Sequence, residues 1–252
     1  MFRFFADTEE ISDKLITLNY DDSKHIKTLR LRPDERFIVC DGKGTDYICV
    51  LGERDGDLSA ANIISSQPSS GEPDISCKVY IGVMKSDRLE YAVQKSVELG
   101  ATDIILYESA RCDCVPKDID KKTVRLTKIS LEAAKLCGRG IIPGVYSCGK
   151  FDIMLNHAIS SSDLTLLFYE SEEQLHIKSI LEQNISLKSD KPNDRISSIS
   201  LITGPVGGFD PHEIEQAAAK KIPIVSLGPR ILRAETAPVV ALTAIMYQTG
   251  NL

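Results

Sequence analysis

The stretch Leu201–Glu215, "LITGPVGGFDPHEIE", decides how the rest of the chain is read. Leu201-Ile202-Thr203 reads as the end of a buried strand. Gly204-Pro205-Val206-Gly207-Gly208 then bends the backbone sharply and lets another group come close, as glycines allow. A helix start follows: Asp210 suits the cap, Pro211 the first helical position, and Glu213 the partner position of a capping box. His212, in that first turn, reads as a surface residue. The turn is not a phosphate loop, because no Gly-Lys-Ser/Thr follows, and it lacks GxGxxG spacing. Taken alone, such a turn holds a phosphate, a nucleoside or nothing.

A second turn of the same kind lies one β-α unit later, in "VSLGPRILRAETAP", Val225–Pro238. A strand ends at Leu227 and Gly228-Pro229 bends the chain. Arg230, Arg233 and Glu235 are then crowded beside Ile231 and Leu232. A plain connection has little use for that mixture. Two glycine turns at the C-terminal ends of successive parallel strands mark the place where open α/β sheets bind ligands.

Around these turns strands and helices alternate. "CKVYIGVM", "DIILYES", "LTLLFYE", "ISLITGP" and "IPIVSLG" read as strands. "SDRLEYAVQKSVELG", "KKTVRLTKISLEAAKLCGR", "EEQLHIKSILEQ", "DPHEIEQAAAKK" and "ETAPVVALTAIMYQ" read as helices, with "LKSDKPNDRISS" (187–198) as a polar loop. This order predicts an α/β class domain with a mostly parallel sheet covered on both faces. The first seventy or so residues are β-rich instead. "RFIVCDGKGTDYICVL" is a hairpin with Asp41-Gly42 at its tip. Before it, "DDSKHIKTLRLRPDE" is a short helix capped at Asp22 or Ser23 and broken before Pro33. A small β-barrel suits this length. The Ser/Pro/Gly-rich "SSQPSSGEPDIS", Ser65–Ser76, marks the boundary, giving domains of residues 1–72 and 76–252.

The chain has 252 residues, 42% hydrophobic and 26% charged, a globular balance. No apolar run reaches membrane-span length, and "MFRFFADTEE" turns acidic too early for a secretory signal, so a cytoplasmic protein is expected. Seven scattered cysteines, with no CxxC pair, fit reduced thiols; together with four dispersed histidines they predict no metal site. The net charge of −6 hides an uneven distribution. Residues 76–150 carry thirteen Lys and Arg against nine Asp and Glu, a basic segment inside an acidic protein. Such a segment is either a solvated helix surface or a phosphate-binding one.

"LITGPVGGFDPHEIE" and "LGPRILRAETAPVVAL" together resemble the signature of the RsmE family, SPOUT-class methyltransferases of uridine N3 in small-subunit ribosomal RNA. "GVMKSDRLEYAVQKSVELGATDIILYESARC" and "RLTKISLEAAKLCGRGIIP" are similar to the family's central segments. "HIKTLRLRPDERFIVCDGKGTDYICVL" resembles its N-terminal module, so the likeness covers nearly the whole chain. The resemblance implies a PUA-like β-barrel followed by a SPOUT-type α/β domain with a deep trefoil knot. It also implies S-adenosylmethionine as cofactor, 16S rRNA in the small ribosomal subunit as substrate, and a homodimer with no membrane or metal.

Under that reading the cofactor contacts are Thr203, Gly204, Gly207, Gly208, Leu227, Gly228 and Leu232. Leu167 and Ile231 serve as apolar walls, and Thr236 and Ala237 close the pocket. The RNA contacts are Lys85, Arg88, Lys95, Arg111 and Arg125. Uracil N3 must lose its proton, so developing negative charge needs a partner. Arg139 is the first candidate for that role. Arg233 is the second, with an ion pair to Glu235 as its alternative use. No general base stands out. The chain departs from the family pattern at Val206 (usually Glu), Lys135-Leu136 (usually Glu-Gln), Leu126 (usually aromatic) and Ala234 (usually Thr). Competing readings are a related knotted methyltransferase for another RNA position and a non-catalytic RNA-binding protein that holds the cofactor. A dinucleotide-dependent oxidoreductase is disfavoured by the missing GxGxxG.

Overall fold

A computed structural model of the chain describes residues 1–114, 118–185 and 196–252. Most of the polar loop expected at 187–198 lies outside them. The chain divides into two compact units, Met1–Glu72 with Leu131–Ile142, and Pro73–Ser130 with Pro143–Leu252.

The first unit is built on a five-stranded sheet of order β1-β3-β4-β5-β2. The strands are β1 (Arg3–Phe5), β2 (Leu15–Thr17), β3 (Phe37–Cys40), β4 (Thr45–Asp55) and β5 (Leu58–Pro68). Only β1 and β3 pair in parallel. The Asp41–Gly44 turn is held by Asp41 Oδ1, which accepts from Lys43 N–H at 2.8 Å and Thr45 N–H at 3.0 Å. Gly42 and Gly44 supply the left-handed φ values of 70° and 100°. Helix α1 (Tyr20–Leu29) starts earlier than the sequence suggests, because its cap is Asn19, whose Oδ1 accepts from Asp22 N–H at 2.8 Å. Asp22 is buried and pairs with Lys135 Nζ at 2.7 Å. Strand β5 runs into the expected linker as far as Pro68, since pairing with β4 outweighs its polar composition.

A buried charged cluster ties this unit together. Arg3 forks onto Asp46, with both N···O distances 2.7 Å. Asp46 also receives Cys40 Sγ at 3.0 Å and a short bond from Ser69 Oγ. Burial alone would raise the Asp46 carboxyl, but the hydrogen bonds from Arg3, Cys40 and Ser69 hold it below the ordinary range.

The second unit is a six-stranded, wholly parallel sheet of order β11-β9-β10-β6-β7-β8. Its strands are β6 (Ser76–Gly82), β7 (Asp103–Glu108), β8 (Gly144–Lys150), β9 (Leu164–Phe168), β10 (Ser198–Thr203) and β11 (Ile224–Val225). Helices α4 (Phe151–Ser160) and α6 (Pro211–Ala219) pack together on one side. On β6 and β10 lies α7 (Ala237–Thr249), which also packs with α2 (Ser86–Glu98) and α5 (Ile177–Asn184). Helix α3 (Ile119–Cys137) begins in this unit and ends in the first. The core under α4 and α6 centres on Tyr80, Tyr107, Phe151, Leu167, Ile202 and Phe209. Strands β6, β9 and β10 are buried almost throughout, as expected for strands covered on both faces.

Removing one partner of a buried pair leaves the other charge stranded, so Asp46→Ala is expected to cost about 3–5 kcal/mol at neutral pH. Because the folded carboxyl is held low, its contribution is complete above about pH 4 and is lost as pH falls further. Urea titrations across pH 3–7 are expected to show this acid-linked loss in the native chain and its attenuation in Asp46→Asn.

Candidate functional site

The C-terminal ends of β9, β10 and β11 are neighbours, and a cavity of about 420 Å³ opens beside them. That is a usual size for a small-molecule site. Phe168, Tyr169 and Glu170 line it after β9, and Gly204, Pro205, Val206 and Gly208 after β10. Ser226, Leu227 and Gly228 follow β11, then Arg230–Glu235 and Ala237. Arg88 enters from α2.

The first glycine turn is anchored on three sides. Phe209 is buried against Phe151 and Tyr169 at ring separations of 5.9 and 6.4 Å. Gly208 N–H donates to Pro205 O at 3.0 Å. Glu213 is the third anchor. Its buried carboxylate accepts from Asp210 N–H at 2.9 Å, closing the capping box, and from Ser109 Oγ at 2.9 Å and Ala110 N–H at 3.0 Å. It therefore clasps the loop after β7 to the start of α6. Gly207 sits against that loop, where a Cβ would stand 2.8 Å from Arg111 O. Beneath the turn, Gly82 ends β6 with room for no more than a hydrogen: a Cβ there would be 2.7 Å from Pro205 N.

The second turn is pinned through Ser226. Its N–H donates to Leu175 O at 2.8 Å, its O accepts from Ile177 N–H at 3.1 Å, and its Oγ accepts from Gly228 N–H at 3.2 Å. Gly228 has φ of 110°, a conformation suited to glycine. Arg233 O then accepts from both Thr236 N–H and Ala237 N–H, at 2.9 and 3.0 Å, as α7 begins.

The structure places the sequence-predicted residues as follows. Gly204, Gly208, Leu227 and Gly228 line the cavity, as do Ile231, Leu232, Arg233 and Ala237. Thr203 is enclosed behind it, its Oγ1 donating to Tyr80 O at 3.3 Å. Leu167 lies in the core, and its neighbour Phe168 faces the cavity instead. Gly207 and Thr236 stand beside lining residues without lining it themselves. Arg139 is not among the lining residues. It belongs to the first unit, is 3% exposed, and pairs with Glu72 through Nη2 at 2.7 Å and Nε at 3.2 Å. Glu72 also accepts the N–H groups of Gly140 and Ile141 at 2.9 and 3.0 Å.

Of the basic residues, Lys85 is exposed at the N-terminus of α2 and Arg88 reaches the cavity. Lys95 pairs with Glu98 at 2.8 Å, Arg111 with Asp210 at 3.3 Å and Arg125 with Glu90 at 2.8 Å. Arg230 and Glu235, noted in sequence for their crowding in the second turn, also line the cavity. Phe168, Tyr169, Glu170 and Ser226 line it without having been singled out by sequence; their signal was position, at or just after a strand end. Among the described residues no His, Cys, Asp or Glu cluster is arranged to hold a metal, and no helix is long and apolar enough to cross a membrane.

Gly82→Ala is expected to cost about 1–3 kcal/mol by overpacking against Pro205. Equilibrium denaturation measures it; an unchanged midpoint would contradict the close approach.

A family model described as an RNA methyltransferase domain matches residues 72–246, and one described as an RNA methyltransferase PUA domain matches residues 18–61. The chain is 31% identical over 229 residues to ribosomal RNA small subunit methyltransferase E of Bacillus subtilis (strain 168), spanning 90% of this chain and 87% of that protein. It is 29% identical to the protein of the same name from Mesomycoplasma hyopneumoniae (strain 232), over 96% and 98% of the two chains. A crystal structure of ribosomal RNA small subunit methyltransferase E from Neisseria gonorrhoeae, bound to S-adenosyl methionine, is 27% identical. It superposes with a TM-score of 0.79 over 98% of this chain and 97% of that one.

Proposed function

We infer the reaction from one premise: the chain belongs to the ribosomal RNA small subunit methyltransferase E family. It is a ribosomal RNA methyltransferase with S-adenosylmethionine as its methyl donor. The finer reading proposed here is transfer to N3 of a uridine in 16S rRNA, by a homodimer in the cytoplasm. The observation that carries the cofactor reading is the cavity at the ends of β9, β10 and β11, formed by both glycine turns.

The residues present suit an adenosine-bearing cation. No lysine-serine phosphate cradle is needed, and none is there. In this reading, backbone groups around Gly204, Gly208, Leu227 and Gly228, all lining the cavity, would meet the adenosine, with Phe168 and Leu232 as apolar walls. Glu235 contributes a carboxylate from the same lining. When bound, the cofactor supplies a methyl group on a sulfonium sulfur, ready for in-line transfer.

The protein's share is positioning and charge. Arg233 lines the cavity with its side chain 82% exposed, so it is available to an incoming nucleotide. We assign to Arg233, ahead of Arg139, the stabilisation of negative charge developing on the uracil. Arg139 is committed to Glu72, and its role in this proposal is to hold the segment after α3. Lys85, Arg88, Lys95, Arg111 and Arg125 supply the RNA-binding surface, with Arg88 nearest the reaction because it lines the cavity. The trefoil knot belongs to the same proposal, as does the second subunit, for which the exposed Tyr247 on α7 would offer an apolar surface.

The test is methyl transfer from labelled S-adenosylmethionine to small ribosomal subunits lacking the modification, followed by nucleoside mass spectrometry. Formation of 3-methyluridine is expected. Arg233→Ala is expected to lower the rate roughly 100-fold or more with cofactor affinity retained. Arg139→Ala is expected to register chiefly as lost thermal stability. A different methylated nucleoside would overturn the N3 assignment, and cofactor binding without any methylation would overturn the assigned reaction.

A further inference from the structure

Glu235 differs from the other charged groups around the cavity. Its side chain is only 12% exposed, and its Oε2 is enclosed with no hydrogen-bond donor among the described residues. Its Oε1 lies 3.8 Å from Arg233 Nη1, too far for a hydrogen bond. The two amides that follow it in sequence are also occupied, since Thr236 N–H and Ala237 N–H both donate to Arg233 O. Glu170, the other acid of the lining, is exposed. This largely enclosed carboxylate thus has no donor to Oε2, and the charge nearest it, on Arg233, is itself 82% exposed and beyond hydrogen-bond reach, so it offsets little of the cost of burial. Unlike Ser59 Oγ and Ser96 Oγ, which are also enclosed without a partner, Glu235 lines the cavity, so a ligand there is able to supply the missing donor.

We propose that Glu235 receives the α-ammonium group of the methionine end of S-adenosylmethionine, an inference that rests on the cofactor reading above. The adenine amine and ribose hydroxyls of that molecule donate hydrogen bonds but carry no charge. Its sulfonium carries charge but has no N–H or O–H. The ammonium alone brings both, in three rotatable donors. The terminal torsion of a glutamate is broad, so the carboxylate presents either oxygen to the cavity it lines. The assignment leaves Arg233, loosely associated with Glu235, to anionic groups of the substrate.

The test compares two ligands by isothermal titration calorimetry on the full chain. One is S-adenosylmethionine; the other is 5′-methylthioadenosine, which keeps the adenosine and lacks the amino-acid end. Glu235→Gln is expected to weaken S-adenosylmethionine roughly tenfold to a hundredfold, as for loss of a charged hydrogen bond, with methylthioadenosine unchanged. Glu235→Asp, which keeps the charge, is expected to retain most of the preference for S-adenosylmethionine over methylthioadenosine. Because the readout is the ratio of the two affinities within one folded variant, a general loss of stability does not imitate it. Equal weakening of both ligands would overturn the proposal in favour of a contact with the adenosine. Unchanged S-adenosylmethionine affinity would overturn it as well. Failure of the unsubstituted chain to bind S-adenosylmethionine would instead sink the cofactor reading.

Discussion

The close approach of Pro205 to the end of β6 is the constraint on which the site depends. A parallel sheet brings the C-terminal ends of its strands to one edge, but a cavity forms there only if the connecting backbones are held in place. In this chain Gly82 lets the turn after β10 lie directly on β6. Phe209 fixes it from the core side and Glu213 fixes it to the loop after β7. The turn's geometry is therefore set by packing and by buried hydrogen bonds, leaving its open side for a ligand. The second turn, fixed through Ser226, supplies the opposite wall.

Much of this was legible in the sequence for physical reasons. Strands covered on both faces read as short runs rich in apolar residues, and amphipathic helices announce their buried side. Asp210, Pro211 and Glu213 spelled out the start of α6. Other elements were not legible. Strand β8 lies at the sheet edge, half-exposed and glycine-flanked, and α4 follows it with no intervening loop, so neither had a boundary signal. The polar end of β5 is a strand only because β4 pairs with it. The return of Leu131–Ile142 to the first unit is a tertiary fact with no local signature.

The same distinction applies to the site. Glycine turns betray themselves by composition, but the direction in which an arginine points does not. Arg139 and Arg233 look alike in sequence; folding buries the first against Glu72 and exposes the second beside the cavity. Glu235 looked like a simple partner for Arg233, and only its burial singles it out. The departures from the family pattern also separate by position. Lys135 is matched to the buried Asp22 within the first unit, and Leu126 is core. Val206 and Ala234 line the cavity, so any divergence in chemistry belongs there.

The central claim is that the two glycine turns form the cofactor site. Hydrogen–deuterium exchange with and without S-adenosylmethionine tests it most directly. The account predicts slowed exchange at Gly204–Phe209 and Leu227–Ala237 (Pro205 and Pro229 have no amide proton). Binding that leaves both segments unprotected, or protects only the first unit, would contradict it.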